Sequence, residues 1–362
     1  MQSKRPSWGI ALDSGGAKGG AHLGVMDVLA EHHVPIDIIV GSSAGALAGA
    51  IYATGKIELV KEIIEDLSWK ESLSYYVDPV FPFSGLLAGK RARAFLKTII
   101  GDVLIDELPI KFIAVATDLL TGETIAIDKG PLIDALMASI SMPGIFKPVV
   151  LMDRLLTDGG VSDPLPLDVL KSHSPHYTIA CNLHPRLPDR FNPTQKKAIV
   201  RAEKQITEKE EDISLWIVDH VVNVIRSQQM FEGVKPLVRN IMKKINTSYA
   251  ENIKDIDLVT TLHDQLIQSR DKITAIFENS LIKKEKVNTL NIFEILVSST
   301  NIQQYQKNRL MLASVRPDIL ISPDVTDIGS LEFTKLKKAV SIGRNQALNS
   351  VPAIIKLIES KS

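Results

Sequence analysis

Apolar residues gather along this chain in short continuous runs separated by glycine-rich or polar turns. Trp8-Gly9-Ile10-Ala11-Leu12 is the first run and Ile36-Asp37-Ile38-Ile39-Val40 the second. Lys111–Ala116, Glu123–Ile127, Tyr177–Leu183 and Asp318–Pro323 continue the series. Apolar stretches of this length predict strands buried on both faces. Helix-like spacing fills the intervals: Leu23, Val25, Met26, Val28 and Leu29 after the first run, then Lys56–Leu67, Lys90–Ile100, Leu132–Ile140 and Phe333–Leu348. Strands alternating with helices predict an α/β fold, a three-layer sandwich whose mostly parallel central sheet is covered by helices.

The pattern changes after Pro185. Between Pro193 and Val315 the chain is charged and helix-periodic, and Gly233 is its only glycine. Ile213, Trp216, Ile217, Val221, Val224 and Ile225 fall at helical spacing, as do Val259, Leu262, Leu266 and Ile267. The expected organisation is a catalytic core over 1–188, an α-helical insertion or cap over 189–315, and a strand and helices over 316–362 that return to the core.

Composition narrows the function classes. Of 362 residues, 42 are basic and 42 acidic, a balance that argues against a nucleic-acid binder. The lone cysteine, Cys181, excludes an internal disulfide and sits in an apolar run as a core residue. Met1–Trp8 is polar and basic with no apolar h-region before Gly9, so no secretory signal is expected and the setting is read as cytoplasmic. Ile36–Thr54 is nearly uncharged, but Asp37 and a Gly-Ser-Ser-Ala-Gly cluster argue against a membrane span.

That cluster carries the chemistry. Gly41-Ser42-Ser43-Ala44-Gly45 spells G-x-S-x-G at the end of a strand and the start of a small-residue helix. A tight turn there would push the Ser43 hydroxyl out of the backbone, as a nucleophile elbow does. The glycine loop after the first strand, Asp13-Ser14-Gly15-Gly16-Ala17-Lys18-Gly19-Gly20, offers backbone N–H groups, with Gly15 and Gly16 the candidate donors to an oxyanion. Such donors contribute about 3–4 kcal/mol each. The loop fits neither G-x-x-x-x-G-K-[ST] nor G-x-G-x-x-G. Lys18 is read as steadying the loop, meeting an anionic headgroup or, by preference, forming an ordinary ion pair.

Asp158-Gly159-Gly160 supplies a candidate base, although an Asp-Gly pair is most often only a turn. A free aspartate, with a pKa near ~3.9, is a poor base for serine and needs a dry pocket to become a useful one. A Ser–Asp–His triad is the alternative, with His173, His176 and His184 following Asp158, but too little chain precedes Ser43 for an α/β-hydrolase arrangement. His22 lies near the glycine loop and is read as a packing residue. The dyad is preferred.

The glycine loop, the G-x-S-x-G turn and the Asp-Gly-Gly turn, in that order, resemble the three signatures of patatin-like phospholipases. Ala138–Pro148 and Pro317–Val325 resemble further segments of that family, and the likeness extends over residues 7–188 and 290–350. Ser14 departs from the pattern by replacing the loop's first glycine. The resemblance implies a Ser43–Asp158 dyad, an oxyanion hole at Gly15 and Gly16, and supporting roles for Lys18, Gly19, Gly41, Gly45, Gly159 and Gly160. It also implies hydrolysis of lipid acyl esters through an acyl-enzyme, as in phospholipase A, lysophospholipase or carboxylesterase reactions. Neither a cofactor nor a metal is expected, and no nucleic-acid partner. The helical insertion could supply peripheral membrane contact. The alternative is a non-catalytic lipid-binding or regulatory protein on the same scaffold.

Overall fold

A computed structural model describes residues 5–66, 87–187 and 292–360, with isolated positions at 196 and 200. The chain divides into two compact units, Met1–Arg190 together with Glu294–Ser362, and Phe191–Phe293. The helical patterns expected around Trp216 and Leu262 lie outside the described residues.

The first unit is built on one sheet. Its strands are β1 (Trp8–Leu12), β2 (Ile36–Ser42), β3 (Lys111–Asp118), β4 (Thr124–Ile127), β5 (Val149–Leu151), β6 (Arg154–Asp158), β7 (Tyr177–Cys181) and β8 (Ile319–Ile321). The hydrogen-bonded order is β5-β6-β3-β2-β1-β7-β8, with β4 also on β3. Pairs among β3, β2, β1, β7 and β8 are parallel, and β4, β5 and β6 join antiparallel. The fold is α/β with a mixed, mostly parallel sheet.

Side-chain alternation along the strands divides the core. Ile10 and Leu12 of β1 face one layer, which holds α1 (Gly20–Glu31), α2 (Ala44–Ala53), α4 (Lys90–Ile100), α5 (Leu132–Ser139) and α8 (Leu336–Glu359). Ala11 faces the opposite layer with Val40, Val115 and Ala180, under α6 (Leu167–Ser172) and Met311 and Leu312 of α7 (Ile292–Ser314). The remaining helix, α3, spans Ile57–Asp66. Helices therefore cover both faces, as strands that are apolar on both sides require.

The β5–β6 hairpin was not anticipated. Its two turn residues, Met152 and Asp153, both have positive φ, 55° and 56°. A turn of that type is normally signalled by Asn-Gly or Asp-Gly, and Met-Asp carries no such signal. Helix α8 runs to Glu359, through Pro352, well past the expected end at Leu348.

Register brings two strand ends together. β3 pairs with β2 through Val115 and with β6 from Ala116 onward, while β4 spans Ala114–Thr117. Since β4 overlaps both partners, it must hold one edge of β3, and β2 and β6 share the other. They run in opposite directions there, so their C-terminal ends converge: Ser42 lies opposite Val115, and Asp158 opposite Ala116.

Candidate active site

Ser43 leaves β2 with φ 52° and ψ −116°, and α2 begins at the next residue. A non-glycine residue at positive φ is strained and persists only where its surroundings dictate it. Here the surroundings do so by crowding. A Cβ on Gly45 would lie 2.2 Å from the Leu12 carbonyl oxygen, and one on Gly41 would lie 2.5 Å from Gly45. The Ser43 N–H donates to Ser139 Oγ at 2.9 Å, and Ser139 Oγ donates to the Val115 carbonyl at 2.6 Å. The turn is thereby tied to β3.

Ser43 Oγ donates to Asp158 Oδ2 at 2.6 Å, across 115 positions of sequence. Asp158 Oδ1 accepts the Gly160 N–H at 2.7 Å, and the Asp158 backbone is fixed by Ser141 O and Thr117 Oγ1. Both Ser43 and Asp158 are buried. Burial pushes the Asp158 carboxyl up to about 6, against the opposing pull of its bonds from Ser43 and Gly160. A carboxylate in a dry pocket becomes a stronger base, the condition that a serine–aspartate pair needs.

The glycine loop folds over this pair. Gly16 has φ 58°, and a Cβ there would lie 2.2 Å from the Ser330 carbonyl oxygen, so only glycine fits. Ser14 N–H donates to Pro164 O at 2.9 Å and Ala17 N–H to Ser330 O at 2.8 Å, while the amides of Gly15 and Gly16 between them meet no acceptor among the described residues. These two glycines and Ser43 line a cavity of about 10 Å³, closed by Met142, Val297, Thr300, Gln304 and Ser330. A larger groove of about 750 Å³, bordered by Tyr52, Lys56 and Pro109, contains none of these residues.

Ser14 does not adopt positive φ, so the missing first glycine brings no backbone strain there. Its buried hydroxyl has no hydrogen-bond partner among the described residues. Lys18 is buried and donates to Asn301 Oδ1 of α7 at 2.9 Å. Gly19 and Gly159 are contact points: a Cβ would fall 2.5 Å from Ala44 Cβ and 2.2 Å from Val115 O, respectively. Gly160 contributes its N–H to Asp158 as described.

No described histidine hydrogen-bonds to Ser43 or Asp158. His22 Nε2 donates to the Asp13 carbonyl at 2.7 Å, and burial pushes its pKa down to about 4. His173 meets Lys111 and His176 meets Ser7. His184 Nδ1 donates to Asp13 Oδ2 at 2.9 Å. The same carboxylate oxygen accepts Leu183 N–H and Asn308 Nδ2, each at 2.8 Å. Asp13 thus fastens the start of the glycine loop to β7 and α7. Sequence reasoning gave Asp13 and Asn308 no role. The available signal was the spacing of Asn301, Gln304 and Asn308, three polar residues on one helical face.

Among the described residues, no cluster of three or more His, Cys, Asp or Glu side chains could hold a metal ion, and no helix is long and apolar enough to cross a membrane.

The α/β fold thus holds a strained serine at a strand–helix turn, bonded to a buried carboxylate and near two glycine amides that meet no acceptor among the described residues. Residues 10–171 match the family model described as patatin-like phospholipase. An uncharacterized NTE family protein of Mycobacterium tuberculosis is 38% identical over 187 residues, covering 50% of each chain. A patatin-like phospholipase domain-containing protein of Caenorhabditis elegans is 32% identical over 181 residues, 48% of this chain and 13% of that one. The chain spans about half the length of the first of these relatives. The crystal structure of VipD from Legionella pneumophila aligns with a TM-score of 0.40 at 15% identity, over 98% of this chain and 86% of that one.

Proposed function

We propose that the protein is a carboxylic ester hydrolase acting on lipid acyl esters, with Ser43 as nucleophile and Asp158 as its base. The observation that carries this reading is the 2.6 Å bond from Ser43 Oγ to a buried carboxylate whose pKa stands at about 6. In the reaction, Ser43 Oγ attacks the acyl carbonyl carbon and its proton passes to Asp158 Oδ2. The carbonyl oxygen gains charge against the N–H groups of Gly15 and Gly16. The C–O bond to the alcohol breaks, Asp158 returns a proton to the departing alkoxide, and the acyl group stays on Ser43. Water then releases the fatty acid by the reverse proton path. The family match supports the lipid substrate class.

Ligand pockets span about 300–1,000 Å³, and a cavity of about 10 Å³ holds no acyl chain. Substrate entry therefore displaces part of the lining. Helical insertion, lid and membrane contact are parts of the same proposal, as is a location inside the cell.

Hydrolysis of short- and long-chain acyl esters by the parent, Ser43→Ala and Asp158→Asn tests the assignment. The expected outcome is turnover by the parent and a loss of about 10²–10⁴-fold in each variant. Equal rates in Ser43→Ala would remove it, and a parent that binds lipid without turnover would favour the non-catalytic reading.

A further inference from the structure

We infer that Gln304 positions the water that releases the acyl group from Ser43, an inference that rests on the hydrolase reading above. The cavity beside Ser43 has a volume of about 10 Å³, and about one probe sphere of such space accommodates a water, which needs two to four polar partners. Most polar side chains around it are already engaged. Thr300 Oγ1 donates to Leu296 O at 2.9 Å, and Ser330 Oγ donates to Asn301 Oδ1 at 3.1 Å. The Gly15 and Gly16 amides are reserved, on the reading above, for the carbonyl oxygen. Gln304 is 5% exposed, and its amide bonds to nothing among the described residues.

Its surroundings point the same way. The neighbouring inward residues of α7 are committed to structure, Asn301 to Lys18 and Asn308 to Asp13 and Asn182. Gln304 is held between them and reaches the Asp-Gly-Gly turn instead. Around the point where a Cβ on Gly160 would sit, Gln304 Nε2 lies at 2.5 Å, the unpartnered Ser14 Oγ at 2.9 Å and Asp158 Oδ1 at 3.0 Å. A buried amide with spare donors and acceptor, a buried hydroxyl with no partner among the described residues and the general base therefore meet at Gly160, and of the three side chains Gln304 also lines the cavity beside Ser43. Serine in place of the loop's first glycine adds one of these three groups.

Once the alcohol has left, Ser43 Oγ is acylated and no longer bonds Asp158 Oδ2. A water donating to Oδ2 and held by the Gln304 amide can face the acyl carbonyl. Its oxygen bonds to the carbonyl carbon as its proton moves to Asp158. The oxyanion then collapses, the bond from carbon to Ser43 Oγ breaks, and Asp158 returns the proton to Oγ. A hydrocarbon at position 304 would leave the water with too few partners. A carboxylate would raise the Asp158 pKa by like-charge repulsion.

p-Nitrophenyl esters make the test sensitive, because their good leaving group renders deacylation rate-limiting. In Gln304→Met, kcat and KM should fall together by about tenfold, a single hydrogen bond's worth. kcat/KM and the rate of fluorophosphonate labelling should match the parent, and the burst of p-nitrophenol should stay equal to the labelled Ser43 while the steady rate after it falls. Gln304→Glu keeps the size and an acceptor. It should restore part of kcat and move the acid limb of kcat to higher pH. Unchanged kcat in Gln304→Met, a raised KM at constant kcat, or equal losses in both variants without a pH shift would each overturn the inference. A parent that fluorophosphonate does not label at Ser43 would instead overturn the hydrolase reading.

Discussion

Asp158 illustrates how burial makes a base from a residue that is ordinarily too acidic. Its carboxyl stands at about 6 in the folded protein, against 3.8 for the unperturbed side chain. The folded state therefore binds more protons than the unfolded chain between those values, and stability declines as pH rises through that window. A displacement of about two units corresponds to an upper bound of about 3 kcal/mol. Asp158→Asn escapes this cost while keeping an oxygen for the Gly160 N–H and an amide for Ser43. Thermal unfolding at pH 8 should show the variant melting higher than the parent, the gap closing near pH 4; a variant that melts lower at pH 8 would contradict the electrostatic account. Sequence alone identified Ser43, Asp158, Gly15 and Gly16 as candidates because each sits in a short motif with a local mechanism. It missed Asp13, Gln304 and Asn308, since their partners lie more than a hundred positions away, as in the bond from Asn308 to Asp13.

At the level of elements, the site exists because β2 and β6 end against each other on one edge of β3. The apolar runs foretold β1, β2, β3 and β7, where burial on both faces leaves an unbroken hydrophobic signature, and also β8, whose Leu320 is exposed. They did not foretell the β5–β6 hairpin. Val149, Leu151 and Arg154 are only half-buried, and the Met152–Asp153 turn lacks its usual residues. Helix α7 falls in the stretch whose spacing reads as helical, but its packing against the core was obscured for a different reason. It turns Asn301, Gln304 and Asn308 inward, all buried, so its core-facing side does not read as apolar. The expected insertion boundary ran to 315, whereas the compact unit that holds the sheet resumes at Glu294. Helix α8 packs so closely on α1 that a Cβ on Gly343 would lie 2.0 Å from the Ala21 carbonyl, and Arg344 pairs with Asp27 and Glu31.

Considered as a whole, the first unit is assembled from two distant stretches of chain, and the family match covers only residues 10–171 of it. The returning segment supplies β8 beside β7, α8 over α1, Asn301 on Lys18 and Asn308 on Asp13. Truncation after Arg190 keeps Ser43, Asp158 and the full family match. It also strips the cover from α1, whose residues Gly20–Leu29 are all buried. Such a fragment should show no cooperative melt by circular dichroism and no labelling by fluorophosphonate; a cooperative, labelled fragment would show that the returning segment is dispensable. The dyad itself is tested most directly by the pH dependence of fluorophosphonate labelling in the intact protein, with the labelled peptide identified. The account predicts modification at Ser43, rising with pH through an inflection near the Asp158 value of about 6. In Asp158→Asn the rate should be slower by about 10²-fold or more and without that inflection. Labelling at another residue, or an Asp158→Asn rate equal to the parent's with the same inflection, would contradict it.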